Sequence, residues 1–83
     1  MPDRPDVAIF GAGAWGTALS TAWGREGARV ALWGIPAEAM ESLAATRRHP
    51  RLPGAELPPS VKPVTQVSEL FEAPIWVSAL PTQ

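Results

Sequence analysis

Residues 7–16, Val-Ala-Ile-Phe-Gly-Ala-Gly-Ala-Trp-Gly, join a short apolar run to the pattern G-x-G-x-x-G. The apolar run predicts a buried strand, and the glycine pattern predicts a tight turn into a helix. Gly11 would form the turn, Gly13 would let the backbone approach a phosphate, and Gly16 would let the helix pack closely on the strand. The free N–H groups of the first helical turn would then face an anion such as a dinucleotide pyrophosphate.

The segment after the turn completes a strand-helix-strand unit. Its apolar residues recur at helical spacing and predict one buried helix face, made of Trp15, Ala18, Leu19, Ala22 and Trp23. A second strand is predicted over 29–33, so the unit has about the thirty residues that a βαβ unit requires. A structural βαβ turn without a ligand is the alternative interpretation of the same motif.

The composition is that of one small globular domain. The chain has 83 residues, 46% of them hydrophobic, and a formal net charge of -1. This balance gives no electrostatic reason to expect nucleic acid or an anionic membrane as a partner, and no apolar stretch is long enough to span a bilayer. The lack of cysteine excludes disulfides and thiolate metal sites, and the sequence has no other metal-ligand constellation. Residues 1–6 lead into a strand rather than a signal-peptide core, so we expect a cytoplasmic protein, and one without a metal centre.

The rest of the chain continues to alternate between helix and strand signals. The expected order is a helix over 37–48 with Pro36 at its first position, a Pro-rich loop over 49–60, an edge strand over 61–65, a short helix capped by Thr65 or Ser68 that ends near 72, and a buried strand over 75–80. This order predicts an α/β fold. We expect a Rossmann-like doubly wound parallel sheet that is incomplete, with about four strands in the order 3-2-1-4.

This strand order has two consequences for function. The switch point lies between the first and fourth strands, so Gly11–Gly16 and Pro81–Gln83 should face one crevice at the carboxyl ends. The outer edge of the fourth strand, Ile75–Leu80, has no partner within the expected sheet. An apolar edge of this kind favours pairing with another strand, either in a longer protein or in a homo-oligomer.

Four blocks of the sequence resemble one enzyme family. The first is Gly11–Leu19, where the glycines are extended by Trp-Gly-Thr-Ala-Leu, and the second is Leu32-Trp33-Gly34. The others are the Arg-rich segment 46–54, which leads into Leu-Pro-Gly and is followed by another Leu-Pro, and the terminal block 79–83. Together they resemble the soluble bacterial NAD(P)-dependent glycerol-3-phosphate dehydrogenases, over residues 7–83.

The resemblance implies hydride transfer between a nicotinamide cofactor, NAD or NADP, and the C2 position that links dihydroxyacetone phosphate to sn-glycerol 3-phosphate. That reaction supplies the glycerophosphate backbone of phospholipids. Residues 1–83 would form part of an N-terminal dinucleotide-binding domain, and a helical C-terminal substrate domain would lie outside this chain. By motif match, the cofactor would be contacted by Gly11, Gly13, Ala14, Trp15, Gly16 and Pro81.

Three further residues are candidates for ligand contact. Trp33 ends the second strand, and the guanidinium groups of Arg47 and Arg48 suit a phosphate. Core packing for Trp33 and a solvated helix end for the two arginines are the alternatives. Trp15 has two interpretations as well, because its ring could stack on the cofactor or fasten the helix start to the sheet.

The chain departs from the family pattern in ways that bear on activity. Ile35 stands where the family usually has an Arg suited to a 2′-phosphate, and no acid ends the second strand, so the choice of cofactor is open. The family's catalytic lysines have no counterpart here, since the only lysine is Lys62. We expect the isolated chain to bind without catalysing. A related hydroxyacid or ketopantoate-type dehydrogenase, and a stand-alone or degenerate nucleotide-binding module, are the alternative functions.

Overall fold

The structure, a computed structural model, describes residues 4–79 as two helices, six strands and a short 3-10 helix. In chain order these are β1 (Val7–Phe10), α1 (Ala14–Arg25), β2 (Val30–Trp33), α2 (Ala37–Thr46), β3 (Arg48–His49), β4 (Leu52–Glu56), β5 (Val61–Val64), the 3-10 helix (Val67–Glu72) and β6 (Ile75–Ser78). Within these residues, no helix is long and apolar enough to cross a membrane.

Four of the strands form one parallel sheet in the order β5-β2-β1-β6. In the register, Phe10 lies beside Trp33 on one side and Ser78 on the other, so the carboxyl ends of the strands meet at one edge. The chain crosses from one side of β1 to the other between β5 and β6, which makes the β1–β6 border the switch point. The predicted doubly wound α/β sheet is therefore confirmed.

The strand numbers differ from the predicted 3-2-1-4 because the segment after α2 contains a hairpin. β3 and β4 pair antiparallel, with His49 opposite Leu52 and a register shift beside Arg48. The predicted Pro-rich loop over 49–60 is therefore wrong for the part of the chain that forms this hairpin. Pro53 lies within β4 and lacks the backbone N–H that could donate to the ladder. Both strands of a two-stranded sheet are edge strands, and proline is compatible with an edge strand.

The sheet is covered unequally on its two faces. On the face of α1 and α2, the buried core consists of Val7, Ile9, Val30, Leu32, Met40, Leu43, Leu57 and Val61. On the face of the 3-10 helix, the buried residues are Ala8, Ala31, Val64, Leu70 and Ala73. The alternation along each central strand follows from the two-residue period of a strand, which sends successive side chains to opposite faces.

Helix α1 buries small residues rather than the apolar face that the sequence predicted. Its buried positions are Gly16, Thr17, Ser20, Thr21 and Gly24. Trp15 is 65% exposed, while Leu19 and Trp23 pack only partly against the core. The Ser20 and Thr21 hydroxyls donate to the carbonyls of Gly16 and Thr17, each at 2.9 Å, so burial leaves neither hydroxyl without an acceptor. The small side chains let α1 lie close to the sheet.

Three other local predictions are corrected by the structure. Pro36 is the N-cap of α2 rather than its first helical residue, and α2 ends at Thr46. The short helix before β6 is a 3-10 helix, and Gln66 precedes it without a side-chain cap from Thr65 or Ser68. Among residues 4–79, β6 pairs with β1 alone and is not buried: Trp76 is 56% exposed although its ring contacts those of Phe10 and Phe71.

Arg47 ends α2 and ties it to two later segments. Its backbone is left-handed, with a φ of 61°, and its N–H donates to the Leu43 carbonyl at 2.8 Å. Its own carbonyl accepts the N–H of Leu57 at 2.7 Å. The guanidinium Nη2 donates to the carbonyls of Pro58 at 2.6 Å and Val61 at 2.8 Å. Because Val61 begins β5, these contacts lie at the amino-terminal end of the sheet.

We expect Arg47→Ala to lower the free energy of unfolding by about 2 kcal/mol, because two carbonyls lose a charged donor. Arg47→Lys should recover only part of this loss, since both bonds come from Nη2 and the shorter lysine side chain carries its ammonium less far from the backbone. Urea denaturation followed by circular dichroism measures the effect. Arg51→Ala, in the turn of the same hairpin and exposed, is the control and should change stability by less than about 0.5 kcal/mol. Equal stability of the Arg47→Ala and Arg51→Ala chains would contradict this role.

Candidate dinucleotide-binding site

The turn after β1 requires glycine at its first position. Gly11 has a φ of 119°, a conformation that is readily open only to glycine. Its N–H donates to the carbonyl of Trp33, at the end of β2, at 2.6 Å. The turn is therefore held by the neighbouring strand, and its shape follows from the lack of a side chain at Gly11.

Two other glycines allow the surrounding segments to approach the turn. A Cβ atom at Gly16 would overlap the carbonyl oxygen of Gly11, so α1 lies against the turn only because Gly16 has none. A Cβ at Gly34, directly after β2, would lie 2.6 Å from the Cβ of Ala12 and 2.7 Å from its nitrogen. Strand ends, turn and helix start are thus packed more tightly than any side chain would permit.

Within residues 4–79, the N-terminus of α1 is uncapped and has free space beside Gly13. Gly13 is its N-cap in an extended conformation, and a Cβ added there would meet nothing within 4 Å. The N–H of Thr17 bonds to the Gly13 carbonyl at 2.9 Å, which leaves the N–H groups of residues 14–16 without an intrahelical acceptor. Among residues 4–79, no side chain caps this end and the first turn holds no acid. These donors, with the positive end of the helix dipole, suit a phosphate group.

The end of β6 lies beside the same turn. The N–H of Ala79 donates to the carbonyl of Phe10 at 2.8 Å, and the Ala79 side chain borders Gly16. The carboxyl ends of β1 and β6 therefore flank the helix N-terminus, as the switch-point argument predicts. Pro81, predicted in the same crevice, lies outside the described residues.

Among the other predicted cofactor residues, the structure groups Gly11, Gly13, Ala14, Trp15 and Gly16 at the turn and the first turn of α1. Because Trp15 is largely exposed, its ring does not fasten the helix to the sheet and is open to a ligand. The Trp33 carbonyl holds the turn, but its ring packs on the 3-10 helix face, in edge contact with Phe10 at 6.4 Å between centroids.

Arg47 is not brought to the turn. Its guanidinium binds two carbonyls at the amino-terminal end of β5, whereas the turn follows the carboxyl end of β1. Helix α2 explains the separation, because it starts at the carboxyl edge of the sheet and Arg47 follows its last turn. The structure therefore gives this side chain a packing role and corrects its placement among the cofactor contacts.

The hairpin contributes to the surroundings of the turn, because β3 borders a cleft beside it. Arg48 and His49 share this cleft with Ala12 of the turn and with Ile35, which follows β2. Spacing along the chain offers no sign of this proximity, because the hairpin reaches the turn only by folding back after α2.

A larger cavity, of about 660 Å³, lies away from the turn. It is lined by the first residues of β2, by β5 and by the 3-10 helix, and its charged residues are Arg29, Lys62, Glu69 and Glu72. Two cations there stand against two carboxylates, and Lys62 lies 3.6 Å from Glu69. This balance does not favour a polyanion. Across residues 4–79, no group of His, Asp and Glu side chains is arranged to hold a metal ion.

The parallel sheet, the glycine turn and the open helix N-terminus at the switch point define a dinucleotide-binding domain of the Rossmann type. Residues 6–83 match the family model described as the N-terminus of NAD-dependent glycerol-3-phosphate dehydrogenase. The chain belongs to that family.

Individual relatives agree with this assignment. Glycerol-3-phosphate dehydrogenase (NAD(P)+) from Thioalkalivibrio sulfidiphilus is 42% identical over 82 residues, which cover 96% of this chain and 25% of that protein. The enzyme of the same name from Acidiphilium cryptum is 42% identical over 83 residues, covering 100% of this chain and 25% of its own length. The crystal structure of glycerol-3-phosphate dehydrogenase from Coxiella burnetii superposes with a TM-score of 0.82 at 28% identity, covering 93% of this chain and 24% of that one. The chain thus spans about a quarter of the length of these relatives.

We expect Gly16→Ala to destabilise the chain by about 2 kcal/mol or more, because the new methyl group would overlap the Gly11 carbonyl. The sign is informative, since Gly→Ala inside a helix normally stabilises it by up to about 1 kcal/mol. Gly13→Ala is the matched control and should cost less than about 1 kcal/mol, because its Cβ meets open space. Thermal and urea unfolding of both variants measure the difference. A Gly16→Ala chain as stable as the parent would contradict the close packing described above.

Proposed function

We propose that residues 1–83 form the cofactor-binding part of an NAD(P)-dependent glycerol-3-phosphate dehydrogenase. The observation that carries this proposal is the turn itself. Gly11 is left-handed, Gly16 admits the Gly11 carbonyl, and the helix N-terminus at Gly13 opens on free space. The uncapped N–H groups of this helix end are the donors that a pyrophosphate uses.

In this proposal the backbone supplies most of the phosphate contacts. The N–H groups of residues 14–16 hold the pyrophosphate, and Gly13 allows it to approach closely. The exposed ring of Trp15 flanks the bound cofactor. When bound, the reduced nicotinamide supplies the hydride that converts dihydroxyacetone phosphate to sn-glycerol 3-phosphate, a precursor of glycerophospholipids.

The isolated chain is proposed to bind the cofactor without catalysing hydride transfer. Its only lysine, Lys62, lies on β5 beside Glu69 and lines the cavity away from the turn. Substrate binding and catalysis are therefore assigned to a helical C-terminal domain of the kind that the relatives' length can accommodate. We place the protein in the cytoplasm, and its near-neutral charge supports small molecules rather than nucleic acid or an anionic membrane as partners.

The open edge of β6 is proposed as the place where the sheet is extended. Ile75 is 58% exposed and Trp76 56%, and Phe71 packs on Trp76 with ring centroids 5.5 Å apart. An apolar edge strand of this kind favours pairing with another strand. That strand comes either from a longer chain or from a second copy.

Calorimetric titration of the 83-residue chain with NADH, and separately with NADPH, tests the cofactor assignment. We expect saturable binding of at least one nucleotide. Gly13→Asp should weaken binding by at least about tenfold, because a carboxylate at the helix N-terminus would occupy the phosphate position and repel the pyrophosphate.

Gly54→Asp is the matched control for that variant. It introduces the same side chain at a hairpin glycine whose Cβ also meets nothing within 4 Å, so its affinity for NADH should stay within about twofold of the parent. Circular dichroism and light scattering confirm that each chain is folded and monodisperse. Equal affinity in the Gly13→Asp and parent chains would show that the phosphate turn is assigned wrongly.

A further inference from the structure

A small cleft lies between the glycine turn after β1 and the β3–β4 hairpin. It has a volume of about 160 Å³, and its lining includes Ala12, Ile35, Ala39, Ser42, Arg48 and His49. Pockets that enclose a whole drug-sized ligand have volumes of about 300–1,000 Å³, so this cleft suits one end of a dinucleotide rather than all of it.

The position of the cleft identifies the end that it would receive. With the pyrophosphate on the N-terminus of α1, the adenosine ribose lies beyond the carboxyl end of β2. Ile35 occupies that place, 78% exposed, and it can neither accept a hydrogen bond from a ribose hydroxyl nor bind a phosphate. Glu38, the first acid after β2, lies in the first turn of α2 and does not line the cleft. The usual recognition of a free 2′-hydroxyl by an acid at the strand end is therefore missing.

The hairpin provides the charge that the end of β2 lacks. Arg48 lines the cleft, and its side chain is 49% exposed. It lies 3.7 Å from the carboxylate of Glu56, which is 64% exposed, and ion pairs between exposed groups are weak enough for a phosphate dianion to compete. A guanidinium also matches phosphate geometry through paired N–H donors.

His49 adds a donor next to Arg48. Its Nδ1 accepts the N–H of Arg51 at 3.0 Å, so the proton of the neutral ring lies on Nε2. The hydrogen bond from the Leu57 N–H to the Arg47 carbonyl closes the base of this hairpin. The Arg47 guanidinium then fixes that base to the start of β5 through the carbonyls of Pro58 and Val61. Strand β3 therefore holds both Arg48 and His49 at the edge of the cleft.

We propose that Arg48, assisted by His49, binds the adenosine 2′-phosphate of NADP, and that this chain therefore prefers NADP over NAD. This inference rests on the proposed function, since it needs the pyrophosphate on α1. It moves recognition of the 2′-phosphate from the residue after β2 to the hairpin after α2.

The test is titration of the 83-residue chain with NADPH and with NADH. The parent should bind NADPH more tightly. Arg48→Ala should lower the affinity for NADPH by about tenfold or more and change the affinity for NADH by less than about twofold, because only NADPH offers the phosphate. Arg51→Ala is the control, since it removes an arginine of the same hairpin that does not line the cleft, and it should change neither affinity by more than about twofold.

A second substitution tests the proposal even if Arg48→Ala also disturbs the hairpin. Ile35→Arg, introduced into the Arg48→Ala chain, should restore most of the affinity for NADPH, because residue 35 lines the same cleft. Glu56→Gln in the parent should strengthen NADPH binding by a few-fold by removing the competing carboxylate.

The outcomes separate this inference from the proposed function. If both nucleotides bind, Gly13→Asp abolishes binding, and Arg48→Ala changes neither affinity or both equally, the cofactor site stands and the assignment of Arg48 is wrong. If the folded parent binds neither nucleotide, the proposed function fails and this inference fails with it. A parent that prefers NADH would also overturn the inference.

Discussion

The close contact of three backbone segments at Gly11, Gly16 and Gly34 is the constraint on which the rest of this structure depends. The Gly11 carbonyl occupies the place of a side chain at Gly16, and the backbone of Ala12 occupies the place of a side chain at Gly34. Larger residues at 16 and 34 would separate α1 and the end of β2 from the turn. The N–H groups that suit a phosphate would then no longer lie at the carboxyl edge of the sheet, where a dinucleotide can cross the switch point.

Small buried residues continue along α1. Gly16, Ser20 and Gly24 succeed one another at a spacing of four residues on the buried side, and Ser60 donates its hydroxyl to the Gly24 carbonyl at 3.0 Å. A helix packed through such small residues lies close to its sheet, so its N-terminus stays near the turn. Its bulkier Trp15 is left outside, beside the open helix end, where its ring is accessible. Packing and ligand access are thus set by the same choice of residues.

Adjacent arginines show how tertiary context divides one residue type between two roles. Arg47 uses its guanidinium to hold the carbonyls of Pro58 and Val61, so its charge is directed into the protein at the amino-terminal end of the sheet. Arg48 follows the left-handed residue that ends α2, pairs loosely with Glu56, and lines the cleft next to Ala12. The chain changes direction at Arg47, so the side chains of Arg47 and Arg48 lie in different parts of the domain. The spacing of residues in the sequence does not predict this change of direction.

The sequence by itself determined the parallel α/β sheet, the glycine turn and the family, because these depend on local patterns: an apolar run, glycines where no side chain fits, and an ordered set of motifs. Only the tertiary structure decided which face of α1 is buried, since close approach to the sheet favoured small residues over the apolar stripe. It also decided that 48–56 forms a hairpin and that β6 is exposed. Hairpin pairing and burial of an edge strand depend on neighbours distant in the chain, and no local pattern encodes the neighbours that a segment will meet.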